Sequence, residues 1–324
     1  MTASLPAETL PVFQMGVYPT PLQSMFVRDA NLPALELLVK REDLCGVGFG
    51  GNKVRKLRLL VADALARGAT VLLTCGGPQS NHCALTACAA ALAGLKCELF
   101  FNTPNPHTDT GNQRIDRRMG ATRTFLGAVT EPEIMAAMHA RAAEWRQQGE
   151  TPYLIPLGGS DALGVLGYVQ AIRELKEQLA GQPAPPFMVV TSGSLGTVAG
   201  LILGTWVHGL DTHVDTFSVL WPQEKAQARL AALLEEVRAG FYPHVTPRAN
   251  YTLSDAQLGG GYGVATAAGQ AAAELAARQC GLMLEQTYTA KTFAGMLASW
   301  RAGRYRPGQR VLYWHTGGAG GYFA

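Results

Sequence analysis

The stretch from Thr70 to Phe101 constrains the fold more than any other part of the chain. An apolar run, TVLLTC, leads into the glycine-bearing turn GGPQS. An alanine-rich helix follows from about Asn81 to Leu92, and then a second strand, KCELFF. Two strands joined through one helix pair in parallel by a right-handed crossover. A parallel sheet needs helices over both faces, so the chain reads as α/β. The same order recurs at FMVVT (Phe187 to Thr191), which passes through SGSLGT into an apolar helix beginning near Thr197. Thr212 to Leu220 supplies another β-rich run, and VLYWH (Val311 to His315) is a late strand ending in HTGGAGG. Helices also fit 54–67, 163–179, 224–239, 266–280 and 290–301, with Gly281 where a C-cap is expected. Asn102 to Thr110 reads as a polar loop, and GQPAPP (181–186) is the best linker by composition. No internal repeat is evident.

Composition narrows the function classes. With 324 residues, 48% apolar and 16% charged, the chain has enough material for two domains with large cores. The net charge of +3 is spread along the chain without a dense basic block, so no nucleic-acid partner is expected. MTASLPAETLP has no basic region followed by an apolar run, so no signal peptide is expected. The uncharged run Ala84 to Leu95 is too short to span a bilayer, so no membrane partner is expected either. Six cysteines at 45, 75, 83, 88, 97 and 280 form no C-x-x-C pair and no zinc spacing. They read as reduced thiols of a cytoplasmic protein, with Cys83 and Cys88 packing a helix and no metal bound.

Three features carry chemistry. Both strand–turn–helix units place a helix N-terminus beside glycine, where free N–H groups and the helix dipole suit an anion. Either unit alone is equally an ordinary βα turn. SGSLGT lacks the Gly-Lys-Ser/Thr of a P-loop and the full G-x-G-x-x-G, and its Ser192, Ser194 and Thr197 suit a phosphate monoester. The third feature is FGGNKVRKL. The chain holds 7 lysines against 20 arginines, yet two lysines fall in this run. Lys53, directly after the turn, is placed for a lowered pKa, and a neutral amine forms a Schiff base with an aldehyde. Lys56 follows the amphipathic pattern and is expected on a solvated face. His82 is open between a helix-end donor, a stacking partner and a packed core histidine. GGGYGV, EQTYTAK and HTGG are weaker features on their own.

Taken in order, GGNKVRKL, QSNH, SGSLGT, YGV, YTAK and HTGG resemble the D-cysteine desulfhydrase and 1-aminocyclopropane-1-carboxylate deaminase family. PTPL (19–22) and KRED (40–43) fit as well, and the resemblance runs from about residue 17 to the C-terminus. It implies a tryptophan-synthase-β-like, fold-type-II enzyme that uses pyridoxal 5'-phosphate. Two domains are implied, each with a largely parallel twisted sheet flanked by helices. Residues 1–51 with 160–324 would form the large cofactor-binding domain, and 52–159 a small mobile one. Lys53 matches the lysine that binds the cofactor and moves the Cα proton. Asn81 matches the residue that meets its phenolic oxygen. Ser192, Gly193, Ser194, Leu195, Gly196 and Thr197 match the phosphate loop. Ser80 is similar to the substrate-carboxylate site, with Asn81 and His82 beside it. Tyr262 and Tyr288 match pocket tyrosines, and Thr289 the position facing the pyridine nitrogen.

The deaminase branch has glutamate at the Thr289 position and glutamine at the His82 position, so the resemblance favours α,β-elimination from a small amino acid such as D-cysteine. Cysteate elimination, β-replacement, cyclopropane deamination and non-catalytic cofactor binding are the alternatives. A homodimer is implied by the resemblance alone. The chain departs from the relatives at CALT after QSNH, at Arg58 and over 102–120, near the substrate site or the mobile domain.

Overall fold

The computed structural model describes residues 9–324; the leader reading of the first residues rests partly on 1–8, which lie outside the described residues. The chain opens with an antiparallel hairpin of β1 (Leu22–Asp29) and β2 (Leu32–Arg41), followed by α1 (Lys53–Ala66). Next come β3 (Val71–Gly76), α2 (Asn81–Ala93), β4 (Lys96–Phe101), α3 (Gly111–Arg118), β5 (Thr122–Phe125), α4 (Glu131–Gln147) and β6 (Pro152–Leu154). The second half holds α5 (Ala162–Leu179), β7 (Phe187–Ser192), α6 (Gly196–Val207), β8 (His213–Ser218), α7 (Gln223–Phe241), β9 (Tyr251–Ser254), α8 (Ala267–Cys280), α9 (Thr289–Arg301) and β10 (Arg310–His315).

These strands form two sheets. One has six strands in the order β1-β2-β10-β7-β8-β9, parallel except for the β1–β2 hairpin. The other has four, in the order β5-β4-β3-β6, all parallel. Every residue of β3 is buried, and so is β7 after its first residue. Both lie inside a parallel sheet covered on both faces, which is why their sequences read as unbroken apolar runs. The β1–β2 hairpin did not stand out in the sequence. β1 lies at a sheet edge with most of its residues partly or fully exposed, so it carries only a weak apolar pattern. Helix α4 also went unassigned, although its start is marked by a Thr130–Glu133 capping box and Pro132.

GQPAPP joins α5 to β7, whose side chains pack into one core, so it is a connection within that half and not a boundary between units. Helix α1 is tied into the molecule by a buried ion cluster. Arg55 bridges Glu42 (2.7 Å) and Glu174 (2.8 Å), and Lys40 meets Glu174 at 2.5 Å. Two cations balance two carboxylates, and although burial opposes it, Arg55 and Lys40 hold Glu174 at about 2. KRED therefore anchors the helix that begins with Lys53. No described helix is long and apolar enough to cross a membrane.

Candidate active site

The turns after β3 and β7 lie at the carboxyl ends of parallel strands, the usual place for a site in such sheets. Between them is a cavity of about 390 Å³. Lys53, Gly76, Gly77, Ser80, His82, Gly193, Ser194, Tyr262 and Tyr288 line its inner part; Leu220, Trp221, Thr130, Glu131 and Lys225 also line it. The structure thus gathers seven of the expected residues around one space. Asn81 and Thr289 are not among those lining it. The Asn81 carboxamide oxygen accepts from Asn112 Nδ2 at 2.7 Å, and the Thr289 hydroxyl engages the Glu285 carboxylate at 3.2 Å.

Lys53 is aimed by the turn before it. Gly50 has φ of +71°, and a Cβ there would fall 1.9 Å from the Asp43 carbonyl oxygen. Only glycine fits. Gly51 bridges Gly317, and the Asn52 N–H donates to Thr316 O at 2.9 Å, so the HTGG run braces the GGN turn. Lys53 then starts α1 and enters the cavity wall. Among the described residues no group is hydrogen-bonded to its amine, and burial lowers its pKa to about 8.

Lys56 overturns its expectation. Its side chain is fully buried, not solvated, because α1 packs against the chain around 158–160 instead of facing water. Its amine donates to Gly158 O and Ser160 Oγ, both at 3.0 Å. Burial and then the Lys53 charge push its pKa well below the ordinary lysine value. A Cβ on Gly196 would sit 2.6 Å from Lys56 Nζ, so the amine touches the 192–197 loop. Sequence reasoning missed this contact because it joins residues far apart in the chain. It also missed Ser160, whose Oγ bonds Ser194 Oγ at 2.8 Å and accepts from the Gly196 N–H.

The 192–197 loop has unspent capacity. Ser192 Oγ is buried without a hydrogen-bond partner. Leu195 is held at φ of +70°, a costly conformation for a leucine that its burial maintains. Thr197 Oγ1 accepts from Asn52 Nδ2 at 2.8 Å, coupling the loop to the lysine turn. A buried amine with only neutral acceptors, an unused hydroxyl and a glycine against that amine fit a phosphate monoester.

Ser80 caps α2, its Oγ accepting from the Cys83 N–H at 3.2 Å, which leaves the hydroxyl hydrogen for the cavity. His82 is buried, and its Nε2 lies 2.8 Å from Thr74 Oγ1. Thr74 already donates to Ile155 O at 2.9 Å, so it accepts here and His82 Nε2 carries the proton. Burial, reinforced by Lys53 and Lys56, holds the histidine pKa well down, so the ring is neutral. His82 therefore combines the packed and cavity-lining readings. The Tyr262 and Tyr288 hydroxyls touch. Burial pushes Tyr262 up to about 12 and Tyr288 well above its ordinary value, so both keep their protons at neutral pH. Arg58 stacks over the Tyr18 ring at 4.5 Å and is not among the residues lining the cavity; it lies on α1, inside the 52–159 segment expected to form the mobile domain.

At the cavity's outer side, Arg229 on α7 makes a two-pronged bridge to Glu131 on α4, at 2.6 and 2.8 Å, while stacking on Trp221 at 4.3 Å.

The unbonded Lys53 amine and the 192–197 loop, whose Gly193 and Ser194 line the same cavity, form an arrangement suited to a phosphorylated aldehyde. The sequence profile of the pyridoxal-phosphate dependent enzymes matches residues 13–317, and the chain belongs to that family. Its cofactor is pyridoxal phosphate. The chain is 36% identical over 312 residues to a D-cysteine desulfhydrase of Salmonella choleraesuis, covering 94% of this chain and 93% of the relative. A D-cysteine desulfhydrase of Salmonella paratyphi A is 35% identical over the same shares. Among solved structures, an ACC deaminase homologue superposes with a TM-score of 0.86 at 32% identity, covering 98% of this chain and 94% of that one.

Proposed function

We propose that the chain is a lyase acting on a small β-substituted amino acid, with D-cysteine its foremost substrate, giving pyruvate, ammonia and sulfide. The contrast between Lys53 and Lys56 carries this reading. Lys56 is locked at the phosphate end, whereas Lys53 presents an unbonded amine of depressed pKa to the cavity. The Salmonella desulfhydrases support the substrate class.

When bound, pyridoxal phosphate supplies an aldehyde for an amino group and a ring that takes up the electron pair left at Cα. Lys56, Ser192, Ser194 and the Gly196 region would hold its phosphate, with Leu195 and Thr197 shaping the loop. Lys53 is the attachment point at rest, and once released its amine removes the substrate's Cα proton. Ser80 and the turn N–H groups bind the carboxylate, beside Asn81 and the neutral His82, whose Nε2 proton is held by Thr74. Of the paired Tyr262 and Tyr288 hydroxyls, one donates to the other and the remaining hydrogen is left for the departing sulfur. The released enamine takes up water, so that cysteine and water become pyruvate, ammonia and hydrogen sulfide. Thr289 bears no charge, which supports elimination over cyclopropane opening.

Residues 52–159 act in this reading as the small mobile domain over a large domain of 1–51 and 160–324; the two sheets on either side of the cavity support that division. A cytoplasmic homodimer belongs to the same proposal. An apolar surface including Phe49, Tyr322 and Phe323 supports the dimer, with the Phe49 and Phe323 rings 6.3 Å apart.

Borohydride reduction of the cofactor-loaded protein should fix the chromophore to Lys53, and Lys53→Ala should abolish that adduct. A reducible adduct that persists in the variant would overturn the assignment. Incubation with D-cysteine, L-cysteine, cysteate and aminocyclopropane carboxylate then decides the reaction. Pyruvate with sulfide from D-cysteine is the expected outcome. Release of 2-oxobutyrate from the cyclopropane substrate alone would move the chain to the deaminase branch.

A further inference from the structure

We propose that Lys291 is a positioning residue that clamps the Tyr262 loop over the cavity; the inference rests on reading that cavity as an amino-acid site. Tyr262 belongs to a segment between β9 and α8 that forms neither strand nor helix. Gly259, Gly261 and Gly263 there have φ values of +62°, +120° and +77°. Four glycines in five residues, three of them at positive φ, leave such a loop many conformations. Its own backbone bonds are few: Leu258 N to Asp255 O at 2.8 Å, Gly261 N to Leu258 O at 3.2 Å and Val264 N to Gly261 O at 3.3 Å. Yet Tyr262 is placed tightly. Its ring meets Tyr288 edge-on with centroids 5.7 Å apart, and it comes within 2.8 Å of where a Gly77 Cβ would stand.

Lys291 supplies the missing restraint. It follows Tyr288 by one helical turn on α9, and its side chain is fully buried. Its amine donates to Leu258 O at 2.8 Å and to Gly261 O at 2.9 Å, the carbonyls just before the tyrosine. A buried cation is costly unless its donors are used, and here two of them hold one loop. The other tyrosine is fixed from the same helix end. Glu285 Oε1 accepts from the Tyr288 N–H at 2.9 Å and the Thr289 N–H at 2.8 Å. Glu285 thus sets Tyr288, and Lys291 brings Tyr262 to it. Because Tyr262 lies over the turn that leads to Ser80, loosening it should weaken substrate binding and leave cofactor attachment intact.

Lys291→Met keeps the apolar stem and removes the donors. KM for the amino acid should rise about tenfold with kcat within about twofold, while cofactor absorbance and borohydride fixation stay unchanged. In the cofactor-free protein, hydrogen exchange over 256–264 should quicken by about tenfold with exchange in α6 unaltered. Lys291→Gln, which retains two N–H donors, should recover part of both effects. In a Tyr262→Phe background, Lys291→Met should change KM little further. An unchanged KM together with unchanged loop exchange would refute the clamp, as would a KM effect that persists undiminished in the Tyr262→Phe background. If Lys291→Met does not fold, the wild-type protein decides: exchange at 256–264 as fast as in the 102–110 loop overturns the proposal. If no amino acid is turned over, the exchange comparison still tests the clamp, and the failure falls on the proposed reaction.

Discussion

Replacing Lys53 with methionine should stabilise the cofactor-free protein at neutral pH, although it removes the proposed attachment point. Burial depresses the amine from 10.5 to about 8, so below pH 8 the fold carries a charge that unfolding would release to water. At about 1.4 kcal/mol per tenfold change in proton affinity, the difference corresponds to about 3 kcal/mol. The cavity opens to solvent, which brings the expectation to about 1–3 kcal/mol. The pH dependence has a definite sign. Between pH 8 and 10.5 the unfolded chain binds the proton and the folded one does not, so wild-type stability rises with pH in that window. The advantage of Lys53→Met should therefore be full at pH 7 and fade towards pH 10. Urea unfolding of both cofactor-free proteins at pH 7.0 and 9.5, set against the methionine variant as baseline, reads it directly. A variant less stable than wild type at pH 7, or a difference that does not change with pH, would refute the desolvation argument.

Three other changes probe the rest of the site. Lys56→Met should weaken cofactor binding by at least about tenfold, read by fluorescence titration, because a charge-assisted phosphate bond is lost; borohydride should still label Lys53 in whatever fraction binds. Ser80→Ala should cost about 1 kcal/mol in thermal unfolding through loss of the α2 cap, and should raise KM more than it lowers kcat. Glu131→Gln breaks an exposed bridge worth about 0.2–1 kcal/mol, so the unfolding midpoint should hardly move, while labelling of Lys53 by a water-soluble aldehyde should quicken by about 1.5- to 5-fold.

Much of this site was legible in the sequence. An apolar run, a glycine turn and a helix start are local features, so β3–α2 and β7–α6 are placed by the sequence alone. The choice of Lys53 followed from its place after GGN and the family motifs. Helix α4 was not read from the sequence, because the α3–α4 region gave no strong periodic pattern, although a TEPE capping box marks its start. The β1–β2 hairpin was harder to read because β1 is an exposed edge strand.

Lys56 shows where local reading ends. Its neighbours Arg55 and Arg58 make the run look like a basic surface. Arg55 is instead consumed by Glu42 and Glu174, and Arg58 lies on Tyr18. Only the packing of α1 against residues 158–160 turns Lys56 inward. Lys291 is the same case, since nothing local ties it to carbonyls some thirty residues earlier. The sequence by itself determined the alternation of elements, the two glycine turns that lead into helices and a primary amine directly after a Gly-Gly-Asn run. Tertiary structure decided that Lys53 faces the cavity while Lys56 is held by residues 158–160, where the histidine proton sits and how the tyrosines are brought together. Burial and hydrogen bonding between distant segments set the charge state and reach of those groups, and neither is written in the spacing of neighbouring residues.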